Sequence, residues 1–282
     1  MIGEKERDTR RVASAAISYR VGGGWGTIQQ PQMSGLSSFI AQIGGVTRLA
    51  GQSFVRMFTP PLDLVEIFRQ CDRIGVGSLN LTNITALFTG MVLALQTAYA
   101  LGQFGARMYI GEVVALSLVR ELGPVLTALM VGGRVGSGIA AEIGSMAVTE
   151  QVDAIRSMGS DPVRKLVVPR LWATIAMLPL LTILADAMGI FGGLLIGVFQ
   201  EGLGASFYLQ RTFQVLSFDD VWLGLAKPLL FAFQIALLGC YNGLNARGGA
   251  DGVGKATTNT VYVVAISVLI SDFFITKLFL AF

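Results

Sequence analysis

Two opposite charges and a proline lie inside an apolar stretch near the middle of the chain. Arg120 and Glu121 come shortly before Pro124, and a glycine-rich segment, 131–146, follows. An ionisable side chain at membrane depth costs about 2.5–3.5 kcal/mol on insertion scales, so such groups persist mainly where they face a cavity, a partner or a polar ligand. The segment is therefore a candidate binding site within a membrane.

The two charges allow two interpretations. Arg120 and Glu121 are adjacent, so on a helix they point about 100° apart and do not simply pair with each other. Arg120 can present a planar, permanently charged fork to a phosphate, in which case the pair binds a ligand. Alternatively, each charge pairs with another helix and only fastens the fold. Sequence alone leaves both interpretations open.

Pro124 predicts a break in the helix that carries these charges. Proline has no amide hydrogen, and its ring clashes with the carbonyl four residues earlier, here that of Arg120. The helix should kink there and leave this carbonyl partly free. A free carbonyl at membrane depth is tolerated only where protein or a water-filled cavity satisfies it.

The composition is that of an integral membrane protein. Of 282 residues, 53% are hydrophobic and only 14% are charged, whereas soluble domains carry about 25% charged residues. The net charge of +3 is small, and much of the Lys and Arg content precedes residue 75, which favours a cytoplasmic face over nucleic-acid binding. The chain has no histidine and only two distant cysteines. Zinc sites, disulfide scaffolds and histidine-based catalysis therefore lose most of their support.

The hydropathy pattern sets the first 74 residues apart from the rest. Residues 1–33 are polar and glycine-rich, without the short apolar core of a signal peptide, and are interpreted as a flexible cytoplasmic tail. Residues 34–74 carry too many charges to span, although their apolar residues recur at helical spacing. They are interpreted as two amphipathic helices in the membrane interface, 34–58 and 62–73, with soluble helices packed on the cytoplasmic side as the alternative.

Residues 75–282 are predicted to form a transmembrane domain of about five helices, which makes the fold all-α. Each segment is near the roughly 20 residues that a bilayer requires. Basic residues concentrate in the loops after the second and fourth segments, and this bias places the N-terminus in the cytoplasm and the C-terminus outside. The predicted spans are Leu79–Leu101, Val113–Met146, Val167–Phe199, Val221–Leu244 and Thr260–Ala281.

Small residues recur every four positions in the second predicted span and fall on one face of a helix. Small residues at this spacing let two helix backbones approach closely, so the stripe is predicted to be a helix contact, within one chain or across a homodimer. Arg134 and Glu142 fall off the stripe and are interpreted as structural partners for other helices. The stripe consists of Gly132, Gly136, Ala140 and Gly144.

A short polar helix is predicted between the second and third spans. Thr149 is a plausible N-cap, and Gly159 can close the C-terminal end. Val152, Ile155 and Met158 form an apolar stripe on this helix, which suits docking into a groove on a partner protein. A surface turn with no partner is the alternative.

Four linked motifs follow one another in the predicted transmembrane domain. They are Glu121-Leu-Gly-Pro-Val, Gly133-Arg-Val-Gly-Ser-Gly-Ile-Ala-Ala-Glu142-Ile-Gly, Glu150-Gln-Val-Asp-Ala154, and Asp161-Pro-Val-Arg164 through Val168-Pro-Arg170. Together they resemble the MlaE-type permease family, the membrane subunits of ABC transporters that move phospholipids between bacterial membranes. The resemblance covers roughly residues 75–282. It implies a homodimer in the bacterial inner membrane that binds glycerophospholipid in a central cavity.

The resemblance also implies partners and residue roles. It implies a separate cytoplasmic ATPase that carries ATP and Mg²⁺, a periplasmic-side MCE-domain ring and often a small STAS-domain protein, with no cofactor in this chain. The short helix corresponds to the coupling helix that meets the ATPase, through Glu150, Gln151, Asp153, Ile155 and Met158. The implied lipid contacts are Arg120, Glu121, Leu93, Leu101 and Phe104.

Two other readings of the sequence concern the energy source. The segment 249–255 has the glycine and lysine spacing of a phosphate-binding loop, but Ala256 replaces the Ser or Thr that would hold magnesium, and no strand precedes it. It is interpreted as a flexible cytoplasmic loop.

The main alternative function is an ion- or proton-coupled secondary transporter with Asp186, Lys227 and Asp272 as relay groups. An intramembrane enzyme is less supported, because no nucleophile, base and orienting group occur together.

Overall fold

The computed structural model describes residues 19–21, 24–26, 35–59 and 63–280. Contacts divide the chain into two units, 1–44 and 45–282. The described part of the first unit holds an antiparallel pair of three-residue strands, Tyr19–Val21 and Gly24–Gly26, and the start of a helix. Most of the predicted tail, 1–33, lies outside the described residues, so its flexibility stays a prediction.

Helices are the regular secondary structure found in the described residues of the second unit, which confirms the all-α prediction. Five of its helices are long and apolar enough to cross a membrane, which confirms the predicted number. We refer to them in chain order as the first to fifth spans. They are Leu64–Gly102, Arg107–Val148, Val163–Phe199, Phe218–Leu244 and Gly249–Phe279.

The first span begins well before its predicted start at Leu79. Asp63 caps it by accepting a hydrogen bond from the Glu66 amide at 3.2 Å, and the helix then runs unbroken to Gly102. The boundary drawn between residues 74 and 75 therefore lies inside one helix. Charges at 66–73 suggested a separate helix, but no proline interrupts the backbone there, so the charged turns simply extend the span beyond its apolar part.

The helix Gly35–Met57 precedes these spans. From Gly45 onwards it belongs to the second unit, where Leu49 joins the main core and the Met57 carbonyl accepts a hydrogen bond from the Trp172 indole at 3.2 Å. Arg56 also forms an ion pair with Asp161. These contacts attach the end of the helix to the start of the third span. Whether its other face meets lipid headgroups or water stays a prediction.

The most extensive helix contact joins the first and third spans. A Cβ atom added at Gly90 would overlap the carbonyl oxygen of Gly189, and one added at Gly192 would overlap that of Leu87. The two backbones therefore touch without intervening side chains, as small residues permit in membrane helices. Sequence reasoning missed this contact, because its glycines are divided between two distant segments.

The predicted stripe of small residues faces the fourth and fifth spans of the same chain. A Cβ atom added at Gly132 would lie 2.7 Å from Val264 Cγ1, and one added at Gly144 would lie 3.3 Å from Ala246 Cβ. Ala140, on the same face, is fully buried. Polar side chains then join the fourth span to the fifth, through the pairs Lys227–Thr276, Gln234–Ser271 and Asn242–Thr260.

The fifth span begins at Gly249, eleven residues before its predicted start at Thr260. The segment 249–255 is therefore helical, and the predicted flexible loop is wrong. Lys255 lies one helical turn beyond Asp251, and their side chains form an ion pair at 2.6 Å. Such an i, i+4 pair suits the solvent-exposed first turns of a helix. The spacing of the glycines had suggested a loop in this segment.

Candidate functional site

The candidate site is built where the helix of the second span changes its winding. Residues Leu118–Leu122 form one π-helical turn, and the Gly123 amide donates back five residues to the Leu118 carbonyl. A π turn holds one extra residue, and π turns are frequent at functional sites. Here the wide turn absorbs the ring of Pro124, which opens the next α-helical segment.

Lys227, from the fourth span, satisfies the carbonyl that the proline leaves without a partner. Its Nζ atom donates to the Arg120 carbonyl at 2.9 Å. The predicted free carbonyl is thus confirmed together with the protein group that satisfies it. The fourth span can approach the second span closely here, because Gly224 packs directly on the Val119 carbonyl. Pro228, next to Lys227, also interrupts the backbone hydrogen bonding of the fourth span.

Lys227 is fully buried and joins three spans. Its Nζ atom donates to Glu121 Oε2 at 2.8 Å and to Thr276 Oγ1 at 2.8 Å, while Thr276 donates to Glu121 Oε1 at 3.0 Å. With the Arg120 carbonyl, these acceptors use all three protons of the ammonium group. Asp272 Oδ1 also lies 3.0 Å from Nζ and acts as an ion-pair partner, because no ammonium proton remains for it.

Arg120 pairs with the first turn of the fourth span. Its Nε and Nη2 atoms lie 2.6 and 2.5 Å from Asp220 Oδ1. The other oxygen of Asp220 accepts from the Ser217 amide at 3.0 Å and its hydroxyl at 2.8 Å. Asp220 therefore both closes the capping box that begins this helix and orients the guanidinium of Arg120.

The charged cluster consists of Arg120, Glu121, Asp220, Lys227 and Asp272. Two positive and three negative charges give it a net charge of −1. The interhelical ion pairs foreseen as one interpretation of Arg120 and Glu121 are present. Both side chains nevertheless keep an open face, with exposed fractions of 49% and 40%. The geometry therefore fastens three spans together and leaves one guanidinium face and one carboxylate face accessible to a ligand.

The relay groups of the ion-coupled alternative are not all brought together. Lys227 and Asp272 meet within the cluster, but Asp186 lies against Gly123, where a Cβ atom would overlap its Oδ1. That oxygen is buried without a hydrogen-bond partner among the described residues. Gly123 thus makes room for a carboxyl group beside the π turn.

The three apolar residues implied to contact lipid differ in their surroundings. Leu93 and Leu101 are partly buried against a cluster of the first and second spans that also contains Leu118 and Tyr208. Phe104, in the turn after the first span, is 82% exposed. Leu118 links this apolar cluster to the π turn, so apolar surface adjoins the charged cluster on the side towards Gly102. Burial raises the pKa of the Tyr208 hydroxyl above its usual range.

The predicted short helix is present as Gln151–Ser157, but its start differs from the prediction. Thr149 is not an N-cap, because it ends the preceding helix and its hydroxyl donates to the Ser145 carbonyl at 2.8 Å. Glu150 takes the cap position instead, with a left-handed φ of 60°. This reversal turns the chain sharply out of the second span. Gly159, with φ 74°, closes the other end as predicted.

The faces of this short helix are divided between the chain itself and solvent. Val152 and Ile155 are buried against Leu166 of the third span, so the predicted apolar stripe does not face outwards as a whole. Met158 is 70% exposed, and Asp153, like Glu150 and Gln151, is exposed. Of the five residues implied to meet an ATPase, Ile155 is therefore a packing residue, and the other four are accessible.

Sequence reasoning missed Asp220 and Thr276 as members of the charged cluster. Asp220 had a detectable signal, since Ser217 and Asp220 have the spacing of a capping box before an apolar run. Thr276 had none, because a threonine in an apolar helix commonly bonds to its own backbone. Pairing between segments 100 or more residues apart cannot be read from spacing within either segment.

Comparison with known proteins agrees with this architecture. The profile of the family described as Permease MlaE matches residues 67–278. A probable ABC transporter permease protein of Rickettsia conorii is 44% identical over 241 residues, which are 86% of this chain and 93% of the relative. One of Synechocystis is 40% identical over 243 residues, 86% and 92% of the two chains.

The name of a third relative includes a substrate. The intermembrane phospholipid transport system permease protein MlaE of Haemophilus influenzae is 39% identical over 231 residues, which cover 82% of this chain and 87% of the relative. The profile spans all five membrane helices, including the π turn with its charged cluster and the short helix after the second span. The chain is therefore a multi-pass membrane protein and belongs to the MlaE permease family of ABC transporters.

Proposed function

We propose that this chain is the permease subunit of a transporter that moves glycerophospholipids between inner and outer membranes, binding lipid in a cavity at a homodimer interface. The observation that carries the proposal is the half-exposed pair Arg120 and Glu121 at a break in an apolar helix. A guanidinium fork suits a phosphodiester, and a carboxylate accepts from headgroup donors. The name of the Haemophilus influenzae relative supports the same substrate class.

The path of the lipid follows from the cost of exposing its acyl chains. Burying one methylene is worth about 0.8 kcal/mol, so a two-tailed phospholipid exposed to water would pay on the order of 20 kcal/mol. In the proposed path, the tails lie along apolar side chains around Leu93, Leu101 and Phe104. Arg120 and Glu121 set the polarity near the headgroup, so the lipid passes from one apolar surface to the next.

The proposal predicts that Arg120→Ala and Glu121→Ala lower the amount of bound phospholipid. Loss of a charged hydrogen bond costs about 1.5–3 kcal/mol, so retention should fall at least about tenfold. Phospholipid per chain is measured by mass spectrometry after gentle extraction, and transport is measured after reconstitution with the partner subunits.

The matched control is Arg69→Ala, since Arg69 is exposed and forms an ion pair with Glu66 of its own helix. The control should retain lipid like the natural chain. Unchanged lipid in the Arg120 and Glu121 variants would refute the proposed site. If the Arg120 and Glu121 variants lose the assembled dimer and not the bound lipid, the purely structural interpretation of these charges is supported.

The energy source in this proposal is a separate ATPase, which holds ATP and Mg²⁺ and docks on the short helix Gln151–Ser157. The exposed residues Glu150, Gln151, Asp153 and Met158 provide the surface, while Val152 and Ile155 tie the helix to the third span. A push on this helix would therefore reach the bundle. The Rickettsia and Synechocystis relatives are named as ABC transporter permeases, so the ion-coupled alternative loses its support.

Met158→Asp is expected to weaken ATPase binding by at least about tenfold. Burial of a methionine side chain is worth about 1.5–3 kcal/mol, and the substitution also places a charge in an apolar contact. The measurement is the amount of ATPase that copurifies with the tagged chain. Lys255→Ala is the control, because Lys255 lies in the first turns of the fifth span, at the same end of the bundle as the short helix. Equal copurification of both variants would refute docking at Met158.

The remaining parts of the proposal concern assembly and orientation. Only 11% of the apolar window of the fifth span is buried within the chain, the smallest share of the five. This leaves an apolar face for the second copy of a homodimer. The basic loops after the second and fourth spans favour an inner-membrane orientation with the N-terminus in the cytoplasm. An MCE-domain protein would then meet the periplasmic side, and a STAS-domain protein the cytoplasmic side.

A further inference from the structure

A polar cavity lies between the first and second spans, far along the second span from the charged cluster. It is at the end of the bundle that carries the short helix Gln151–Ser157, because Glu142 lies only six residues before the end of the second span at Val148. Its volume is about 240 Å³. The residues used below are Gln70, Arg73, Arg134, Gly138 and Glu142, which all line it.

The charges around this cavity do not balance. Arg73 Nη1 lies 3.0 Å from Glu142 Oε1, and the buried Arg170 lies 3.0 Å from Glu142 Oε2. One carboxylate therefore serves two guanidinium groups. Arg134 has no carboxylate of the described residues within 4.0 Å, and its Nη1 donates instead to the neutral hydroxyl of Ser78 at 2.8 Å. Three positive charges and one negative charge leave +2.

The position of Arg134 is fixed by the backbone of the neighbouring span. A Cβ atom added at Gly77 would overlap Nη2 of Arg134, so the guanidinium lies against the first span at a residue without a side chain. Together with the bond to Ser78, this contact holds the planar fork in one orientation. A fork that is already oriented loses less side-chain entropy when it binds an anion.

The size and shape of the cavity suit a small anion with part of its hydration shell. At about 30 Å³ per water molecule, the cavity has room for roughly eight waters, more than the five heavy atoms of a phosphate group. A Cβ atom added at Gly138 would meet nothing within 4 Å, so the space is open on the side of the second span. Gln70 adds an amide to the lining, one of whose protons is donated to Glu66 at 2.8 Å.

We propose that this cavity is a second anion site, separate from the charged cluster, and that it binds a phosphate group through Arg134 and Arg73. Arg134 supplies a bidentate fork, and Arg73 supplies a second charge that Glu142 only partly neutralises. The phosphate belongs either to a lipid headgroup in the leaflet at this end of the bundle or to a soluble phosphate compound. The site holds the first and second spans together beside the helix Gln151–Ser157.

The test is calorimetric titration of the delipidated, detergent-purified full chain with dihexanoyl-phosphatidylglycerol and, separately, with inorganic phosphate. Arg134→Gln removes the fork, and Arg134→Lys keeps the charge without the fork. Gly138→Leu fills the cavity and leaves every charge in place. Arg69→Gln is the matched control, since Arg69 is exposed on the same span and pairs with Glu66. Thermal unfolding of each variant checks that it is folded.

The expected result is binding that weakens at least about tenfold in Arg134→Gln and Gly138→Leu, less in Arg134→Lys, and not at all in Arg69→Gln. Arg134→Gln is also titrated in an Arg120→Ala background, and a further weakening of the same size there separates this site from the one proposed for transport. Binding of the lipid alone identifies a headgroup as the ligand, whereas equal binding of inorganic phosphate identifies a soluble anion. Natural affinity in folded Arg134→Gln and Gly138→Leu, or equal weakening in Arg69→Gln, overturns the proposal.

Discussion

Replacing Lys227 with methionine is expected to lower the free energy of unfolding by about 3–5 kcal/mol, the cost of removing one partner from a buried ion pair. The side chain is fully buried, and its ammonium group serves Glu121, Asp272, Thr276 and the Arg120 carbonyl. Methionine fills the volume but leaves the Arg120 carbonyl without its donor and removes the positive charge that neutralises Glu121 and Asp272. The value should fall at the lower end, because Glu121 partly reaches solvent.

The measurement is unfolding of the purified chain in detergent, with Lys255→Met as the control. Lys255 is 78% exposed and pairs with Asp251 on its own helix, so its loss should cost less than about 1 kcal/mol. If Lys227→Met unfolds no more easily than Lys255→Met, the cluster does not fasten the spans together.

Replacing Gly90 with alanine is expected to destabilise the chain by about 2 kcal/mol or more. The added methyl group would meet the Gly189 backbone directly, and backbone cannot turn aside as a long side chain does. Overpacking typically costs about 1–3 kcal/mol, and separation of the first and third spans would disturb the most extensive contact in the bundle. The better helix propensity of alanine, about 1 kcal/mol, offsets only part of this loss.

Gly254→Ala provides the opposite expectation. Gly254 is also helical, and an added Cβ atom there would meet nothing within 4 Å. This variant should therefore unfold at the natural midpoint or slightly above it. Both variants are compared by thermal unfolding in the same detergent. A Gly90→Ala midpoint equal to that of Gly254→Ala would show that the two spans can separate without cost.

The number of spans could be predicted from sequence because long apolar runs have few other uses. Their ends could not be predicted as well, since charged turns at both 66–73 and 251–255 continue the helices beyond the apolar part. Charge marks where a bilayer ends, whereas the helix ends where backbone hydrogen bonding stops. The observed helix starts precede the predicted ones by 15 residues in the first span (Leu64 against Leu79) and by 11 in the fifth (Gly249 against Thr260).

The candidate site could be predicted only in part. Arg120 and Glu121 were found because charge is conspicuous in an apolar helix, and Pro124 identified the freed carbonyl. The partners were not found, because Asp220 and Thr276 are brought close only by the packing of three spans. The π turn was also missed, since no residue pattern in 118–122 distinguishes it from an ordinary turn.

The arrangement around Lys227 has an evolutionary consequence. Because one ammonium group serves several acceptors, the fitness effect of a change at Lys227 depends on Glu121 and Asp272. A lineage that loses the lysine first would pass through a form in which two acids of the charged cluster lack their ion-pair partner. Such a form is avoided when the substitutions occur in the opposite order, so that neutral residues replace the two acids before the lysine is replaced. These three positions should therefore be inherited as a set, and exchanging this part of the chain between distant relatives should succeed only when all three move together.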